Sequence, residues 1–216
     1  MFPQKTIDLI VGFLKKHGIT NKFLQVGILS VVSTEGGFKP KSESSYKNTS
    51  NKRLRVLFGS RLPASEEELS QIKKDDVAFF DLIYGKRYGN NDPGDGYKYR
   101  GRGMNQITFK NLYKEYGDAI GQDLIVHPEK LNELPIAAEV LAVYFKKCIP
   151  IGFKSGIAKR RYGIASQDQI NSLELGIKVA FSSNVGWGID WTRNSALLHE
   201  HENQIKNAQI LQKQVT

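Results

Sequence analysis

Cysteine is nearly absent from this chain: Cys148 is the only one among 216 residues. No intrachain disulfide can form, and neither a disulfide framework nor a cysteine-based zinc cage can be built. The lone thiol reads as a buried bystander. Long apolar runs are missing as well. Nothing approaches the roughly 18 residues of a membrane span, and the first residues lack the apolar core and small-residue cleavage site of a secretory signal. The expectation is a soluble cytoplasmic product without stable membrane insertion, reaching any outside target only after release by another route. Alternating strand patterns are scarce, and internal repeats, low-complexity tracts and interdomain linkers are lacking. That leaves a mainly α fold with little β structure.

What is present fits one good-sized domain over 1–216 with a real core, expected to be a monomer. An apolar share of 40% with 25% charged residues excludes the disordered and fibrous classes. Lys and Arg number 31 against 22 Asp and Glu, a formal net charge of +9 that favours polyanions, among them nucleic acid, anionic lipid and bacterial cell wall. The basic pairs Lys15-Lys16, Lys73-Lys74 and Arg160-Arg161 are scattered as on solvated helix faces. With no nucleic-acid motif beside them, nucleic acid is not an expected partner.

The stretch from Tyr97 to Tyr113 stands apart. Gly101 and Gly103 allow close backbone approach, while Tyr99, Arg100, Arg102, Asn105, Gln106 and Thr108 supply flat faces and hydrogen-bonding groups. That inventory suits a groove for a polar ligand, although a glycine-rich turn opening a helix near Thr108 would use the same residues.

Helical spacing is clear elsewhere. Ile7, Ile10, Val11, Phe13 and Leu14 define a helix over 4–17 that Gly18 ends. A second, apolar nearly all round, begins after Thr20 and delivers Glu35 at its C-terminal end. A carboxyl group there meets the negative end of the helix dipole, which suits a proton donor. Residues 36–51 read as a polar loop carrying Glu43 and Tyr46. Further helices are expected over 51–58, after a capping box at Ser65 and Glu68, over 76–84, from Thr108 to Gly117, and from Pro135. A second capping box, Ser166 with Gln169, would open the helix holding Leu173 to Phe181, and an amphipathic helix over 190–212 closes the chain. The loop 85–96 resembles a calcium loop only superficially, because Pro93 breaks the spacing and Arg102 stands where the last acidic ligand belongs. His199 and His201, two apart, do not share a helix face and read as surface histidines. No metal and no other cofactor is expected.

Two carboxylates near a groove lined with Tyr, Asn, Gln and Arg are the minimum kit for cleaving a glycosidic bond, one protonating the leaving oxygen and the other attacking the sugar or activating water. Most glutamates are solvated surface charges, and Glu35 departs from that pattern because a buried helix leads straight into it.

A set of short patterns resembles glycoside hydrolase family 19. They are Glu35-Gly-Gly-Phe, Glu43 in Ser-Glu-Ser-Ser-Tyr, Phe58-Gly59 with Arg61, Tyr84-Gly85, Gly89-Asn90, the run from Gly94 through Tyr99-Arg-Gly-Arg-Gly103 to Asn105-Gln-Ile-Thr108, and Asn184 with Gly186. The resemblance covers roughly residues 20–195 and is nearest to the bacterial and phage branch, which includes endolysins as well as chitinases. It implies a lysozyme-like single domain of packed helices around a substrate groove. It also implies Glu35 as general acid, Glu43 as general base, and Thr108 helping to hold the attacking water. Gln106 and Asn184 would hydrogen-bond the sugar, Arg193 would pair with Glu35, and Tyr46, Tyr99 and Arg102 would complete the substrate-binding set. The implied partner is a glycan strand, peptidoglycan first and chitin second. Other readings are a lytic transglycosylase that works with one Glu and a non-catalytic wall-binding or structural phage component.

Overall fold

The computed structural model describes residues 2–215. Among them eleven α-helices follow in order: α1 (Gln4–Lys16), α2 (Lys22–Gly36), α3 (Asn51–Phe58), α4 (Glu66–Ile72), α5 (Asp76–Tyr84), α6 (Asp95–Lys98), α7 (Lys110–Ile120), α8 (Leu134–Lys154), α9 (Ile157–Tyr162), α10 (Leu173–Val185) and α11 (Ser195–Leu211). The β structure among the described residues is two isolated bridges, Arg87 with Asn90 and Arg102 with Ile107. No helix among them is long and apolar enough to cross a membrane. The mainly helical expectation holds. The chain divides into two compact units, one made of the residues up to Lys39 and from Leu134 onward, the other of Pro40–Glu133.

In the first unit α2 is buried almost continuously from Leu24 to Val32, as an apolar circumference requires. Asn21 caps its start by accepting from the Leu24 N–H at 3.0 Å, and Gly37 ends it in the left-handed conformation at φ 63°. Helix α10 lies directly against it. Gly27 meets the backbone carbonyl of Gly176, and Gly176 meets that of Phe23, with no room for a Cβ at either position. This glycine-to-glycine approach holds the helix that carries Glu35 tightly against the core. On α11, Asn207 donates to Ser33 Oγ at 2.9 Å and to Thr34 Oγ1 at 3.2 Å, pinning the last turns of α2 from another side. The start of α10 differs from the expectation. Ser172 is its N-cap, accepting from the Leu175 N–H at 3.3 Å, whereas Ser166 precedes a separate 3-10 turn over Gln167–Gln169. Asn194 likewise caps α11, so that helix starts later than its apolar pattern suggests.

In the second unit Leu54, Leu62, Leu69, Phe79, Phe80 and Ile83 form a buried cluster against which Tyr46, Phe58, Tyr84 and Tyr97 pack. Ser50, Ser65 and Asp75 cap α3, α4 and α5, each through a side-chain oxygen that accepts a backbone N–H. The loop over 85–96 is ordered by its own side chains. Asp95 Oδ2 accepts from the N–H groups of Asn91 and Asp92, each at 3.1 Å. The Lys110 ammonium bridges Asp92 at 3.0 Å and Asp95 at 3.1 Å.

Candidate functional site

In the second unit the glycine-rich stretch is the platform on which Glu43 rests. The Glu43 N–H donates to the Gly101 carbonyl at 2.7 Å, and the Lys41 N–H to the Gly103 carbonyl at 3.5 Å, so residues 41–43 run alongside 101–103. In return the Gly101 N–H donates to Glu43 Oε2 at 3.2 Å. A Cβ at Gly101 would stand 2.9 Å from Gln106 Oε1 and 3.2 Å from Glu43 Oε2, so the close approach requires glycine here.

The other carboxylate oxygen, Glu43 Oε1, accepts from the phenols of Tyr46 at 2.7 Å and Tyr84 at 2.9 Å. Both phenols are pushed far above their ordinary pKa, first by burial and then by the neighbouring Glu43 charge and hydrogen bond. They remain neutral donors at any pH the fold would meet. Three donors thus fix the Glu43 carboxyl in one orientation, an arrangement that suits a group receiving a proton from water.

The Thr108 hydroxyl is half-buried and donates to the Gln106 carbonyl at 3.0 Å. Its lone pairs remain open to accept from a water. Gln106 sits at φ 50°, and its amide group donates to the carbonyls of Lys41 and Gly103, each at 3.0 Å. Gln106 therefore ties the loop carrying Glu43 to the glycine stretch, and only its Oε1 is left for a sugar. Asn105 holds both carboxamide atoms buried without a hydrogen-bond partner among the described residues.

Two residues expected at the substrate lie in the interior. Tyr99 is 1% exposed, donates to the Ile125 carbonyl at 3.1 Å and packs edge-on against Tyr113. Arg102, 6% exposed, donates to the Tyr113 hydroxyl at 2.8 Å. That hydroxyl in turn donates to the Arg100 carbonyl at 2.6 Å, and burial pushes the Tyr113 phenol up to about 12. Tyr99 and Arg102 are corrected from ligand contacts to parts of a buried network that shapes the glycine stretch. Tyr46 also changes role: its ring packs on Phe58, Phe79 and Phe80 while its hydroxyl positions Glu43.

In the first unit Glu35 occupies the last turn of α2 and is exposed. Its charge acts on a second carboxyl group, Glu200 on α11. Glu200 is pushed up to about 7, first by burial and then by the Glu35 charge and hydrogen bond, with Gln204 pulling the other way. The expected partner, Arg193, is exposed at 86% of its side chain and pairs with Asp190 at 3.2 Å. Asn184 is half-buried at the penultimate position of α10. His201 is buried, stacked on Phe181 and tilted against Trp191, a correction to its reading as a surface residue. His199 is exposed.

Tyr84, the Gly101 N–H and Glu200 were missing from the sequence-based site. For Tyr84 the available signal was its place at the end of an aromatic helix just before Gly85. Glu200 sits in a polar helix whose spacing gives no hint of its partner. No group of three or more potential metal ligands occurs among the described residues.

A carboxylate held by three donors, as Glu43 is, has the equipment of a general base. No family model matches the chain. It is 32% identical over 153 residues to a glycosyl hydrolase family 19 domain-containing protein of Haemophilus influenzae, a match spanning 68% of this chain and 72% of that relative. The chain belongs to glycosyl hydrolase family 19.

Proposed function

We propose that the protein is a peptidoglycan hydrolase of the endolysin type, cleaving β-1,4 bonds of the cell-wall glycan strand with inversion. Glu35 is the general acid that protonates the leaving oxygen. Glu43 is the general base that takes a proton from the attacking water, which Thr108 helps to hold. An inverting mechanism leaves room for that water between the base and the sugar. Asn184 and the Oε1 of Gln106 supply hydrogen bonds to the sugars.

The observation that carries this reading is the donor set on Glu43: Tyr46, Tyr84 and the Gly101 N–H all point hydrogens at one carboxylate. An acceptor so fixed is suited to a base, and a wall-binding module has no use for it. The net charge of +9 suits an anionic wall over neutral chitin. Parallel digestion of purified peptidoglycan and chitin oligomers tests the choice. Soluble fragments from peptidoglycan are expected, and fragments from chitin alone would replace this reading by the chitinase one.

A further inference from the structure

We infer that Tyr88, with Phe109 behind it and Arg87 beside it, is a stacking platform for one carboxylate-bearing sugar of the glycan strand, a binding position distinct from Gln106 and Thr108. The inference rests on reading Glu43 as the base of a glycan hydrolase.

Three rings lead outward from that base. Tyr84 donates to Glu43 Oε1 at 2.9 Å, its ring meets Phe109 edge-on with centroids 5.3 Å apart, and Phe109 meets Tyr88 at 4.9 Å. Exposure rises along the series: Tyr84 and Phe109 are half-buried, and Tyr88 is 64% exposed. The planes of Phe109 and Tyr88 stand 62° apart, so neither ring covers the other. Phe109 also follows Thr108 directly in the chain. The Arg87 guanidinium lies 5.7 Å from the centroids of both Tyr88 and Phe109 and donates to the Ile83 carbonyl at 3.4 Å. Among the described residues no carboxylate pairs with it.

The turn that displays Tyr88 is held in place at a conformational cost. Lys86, Tyr88 and Phe109 have φ of 56°, 42° and 76°, in the left-handed region that residues with a side chain avoid. A turn that only had to reverse the chain would carry glycine or asparagine at such positions. Its surroundings fix it from several sides. The Lys86 N–H donates to the Asn90 carbonyl at 2.6 Å, the Asn90 N–H to the Arg87 carbonyl at 2.9 Å, and the Asn111 N–H to the Tyr88 carbonyl at 3.1 Å. The Asn90 side chain donates to the Tyr84 carbonyl at 3.1 Å and accepts from the Lys110 N–H at 2.9 Å. A Cβ at Gly89 would collide with Asn111 Oδ1. Strain that a frame of this kind maintains is found at ligand clamps and other functional positions. Here it presents an exposed ring in advance of any ligand, which lowers the cost of binding.

The chemistry of the platform selects its occupant. One face of a pyranose ring presents C–H groups, whose weakly positive hydrogens are attracted to the negative face of an aromatic ring. The sugar hydroxyls then stay at the rim, free to meet water or polar side chains. A guanidinium at the edge of the rings adds a planar, permanently charged partner for a carboxylate. Wall glycan carries such carboxylates on its lactyl and peptide substituents, so it engages both the rings and Arg87. A neutral polysaccharide would use the rings alone.

The test compares wild type, Y88A, Y88W and R87Q on soluble glycan strands from peptidoglycan, native and with their carboxyl groups amidated. It reads kcat, KM and Kd by calorimetry beside thermal melts. Y88A is expected to raise KM and Kd about ten-fold, with the loss in KM rather than kcat and the melting temperature unmoved, and Y88W to restore both constants. R87Q is expected to weaken native strands and leave amidated strands as wild type binds them. Unchanged KM and Kd in Y88A overturn the platform, while cleavage by wild type leaves the hydrolase reading in place. Equal weakening of both strands by R87Q overturns the carboxylate contact. Wild type that neither cleaves nor binds the strands overturns the hydrolase reading, and this inference with it.

Discussion

The Tyr84 hydroxyl donates to Glu43 Oε1 at 2.9 Å, joining the last residue of α5 to a loop residue 41 positions earlier in the chain. Tyr46 donates to the same oxygen from three positions away. The orientation of the proposed base is therefore set by two aromatic rings rooted in a phenylalanine cluster. Y84F and Y46F each delete one hydrogen bond to a charged acceptor, worth about 1.5–3 kcal/mol. Each should lower kcat by about ten- to a hundred-fold while moving the melting temperature little. Steady-state kinetics beside thermal melts checks this, and a loss confined to stability would show that the phenols only fill space.

Gly101 makes a sharper prediction. A methyl group there would press on Gln106 Oε1 and Glu43 Oε2 at once, displacing the two side chains that fix the loop. G101A is expected to keep its helical circular dichroism and lose at least about 90% of its activity, a displacement of the kind that costs about a hundred-fold when reacting groups are misplaced by 1 Å.

These relationships divide what the sequence reveals from what it hides. The helix carrying Glu35 was legible because apolar residues on every side leave burial as the only outcome, and the cap at Ser65 was legible because its chemistry is local. Tyr84 was not, since it meets Glu43 only after distant segments pack. Tyr99 and Arg102 misled for a related reason. Polar aromatic and guanidinium groups look alike in sequence whether they face a ligand or satisfy one another inside, as they do here through Tyr113.

The contact between α2 and α10 carries its own test. G27A would drive a methyl group into the Gly176 carbonyl, and overpacking of this kind costs about 1–3 kcal/mol or more. A lower urea midpoint with an unchanged slope is expected, together with lower activity because the end of α2 moves with the helix.

Glu200 also predicts how stability responds to pH. The Glu200 carboxyl is raised in the folded state to about 7 from an ordinary value of 4.5. Its contribution is therefore fully present below about pH 4.5 and is lost as pH rises through 7. Because the group is partly solvated, the loss is discounted for screening to about 1 kcal/mol. Wild type should lose stability relative to E200Q between pH 5 and pH 8. Urea unfolding at the two pH values measures it, and a difference that does not change with pH would contradict the raised Glu200 carboxyl.

The most direct test of the central claim is mass analysis of the muropeptides released by wild type, E35Q and E43Q. Wild type should yield hydrated reducing ends from cleaved β-1,4 bonds, and both variants should yield almost none while remaining folded. Anhydro-muramic ends, or undiminished release by E35Q or E43Q, would contradict hydrolysis by these two carboxyl groups.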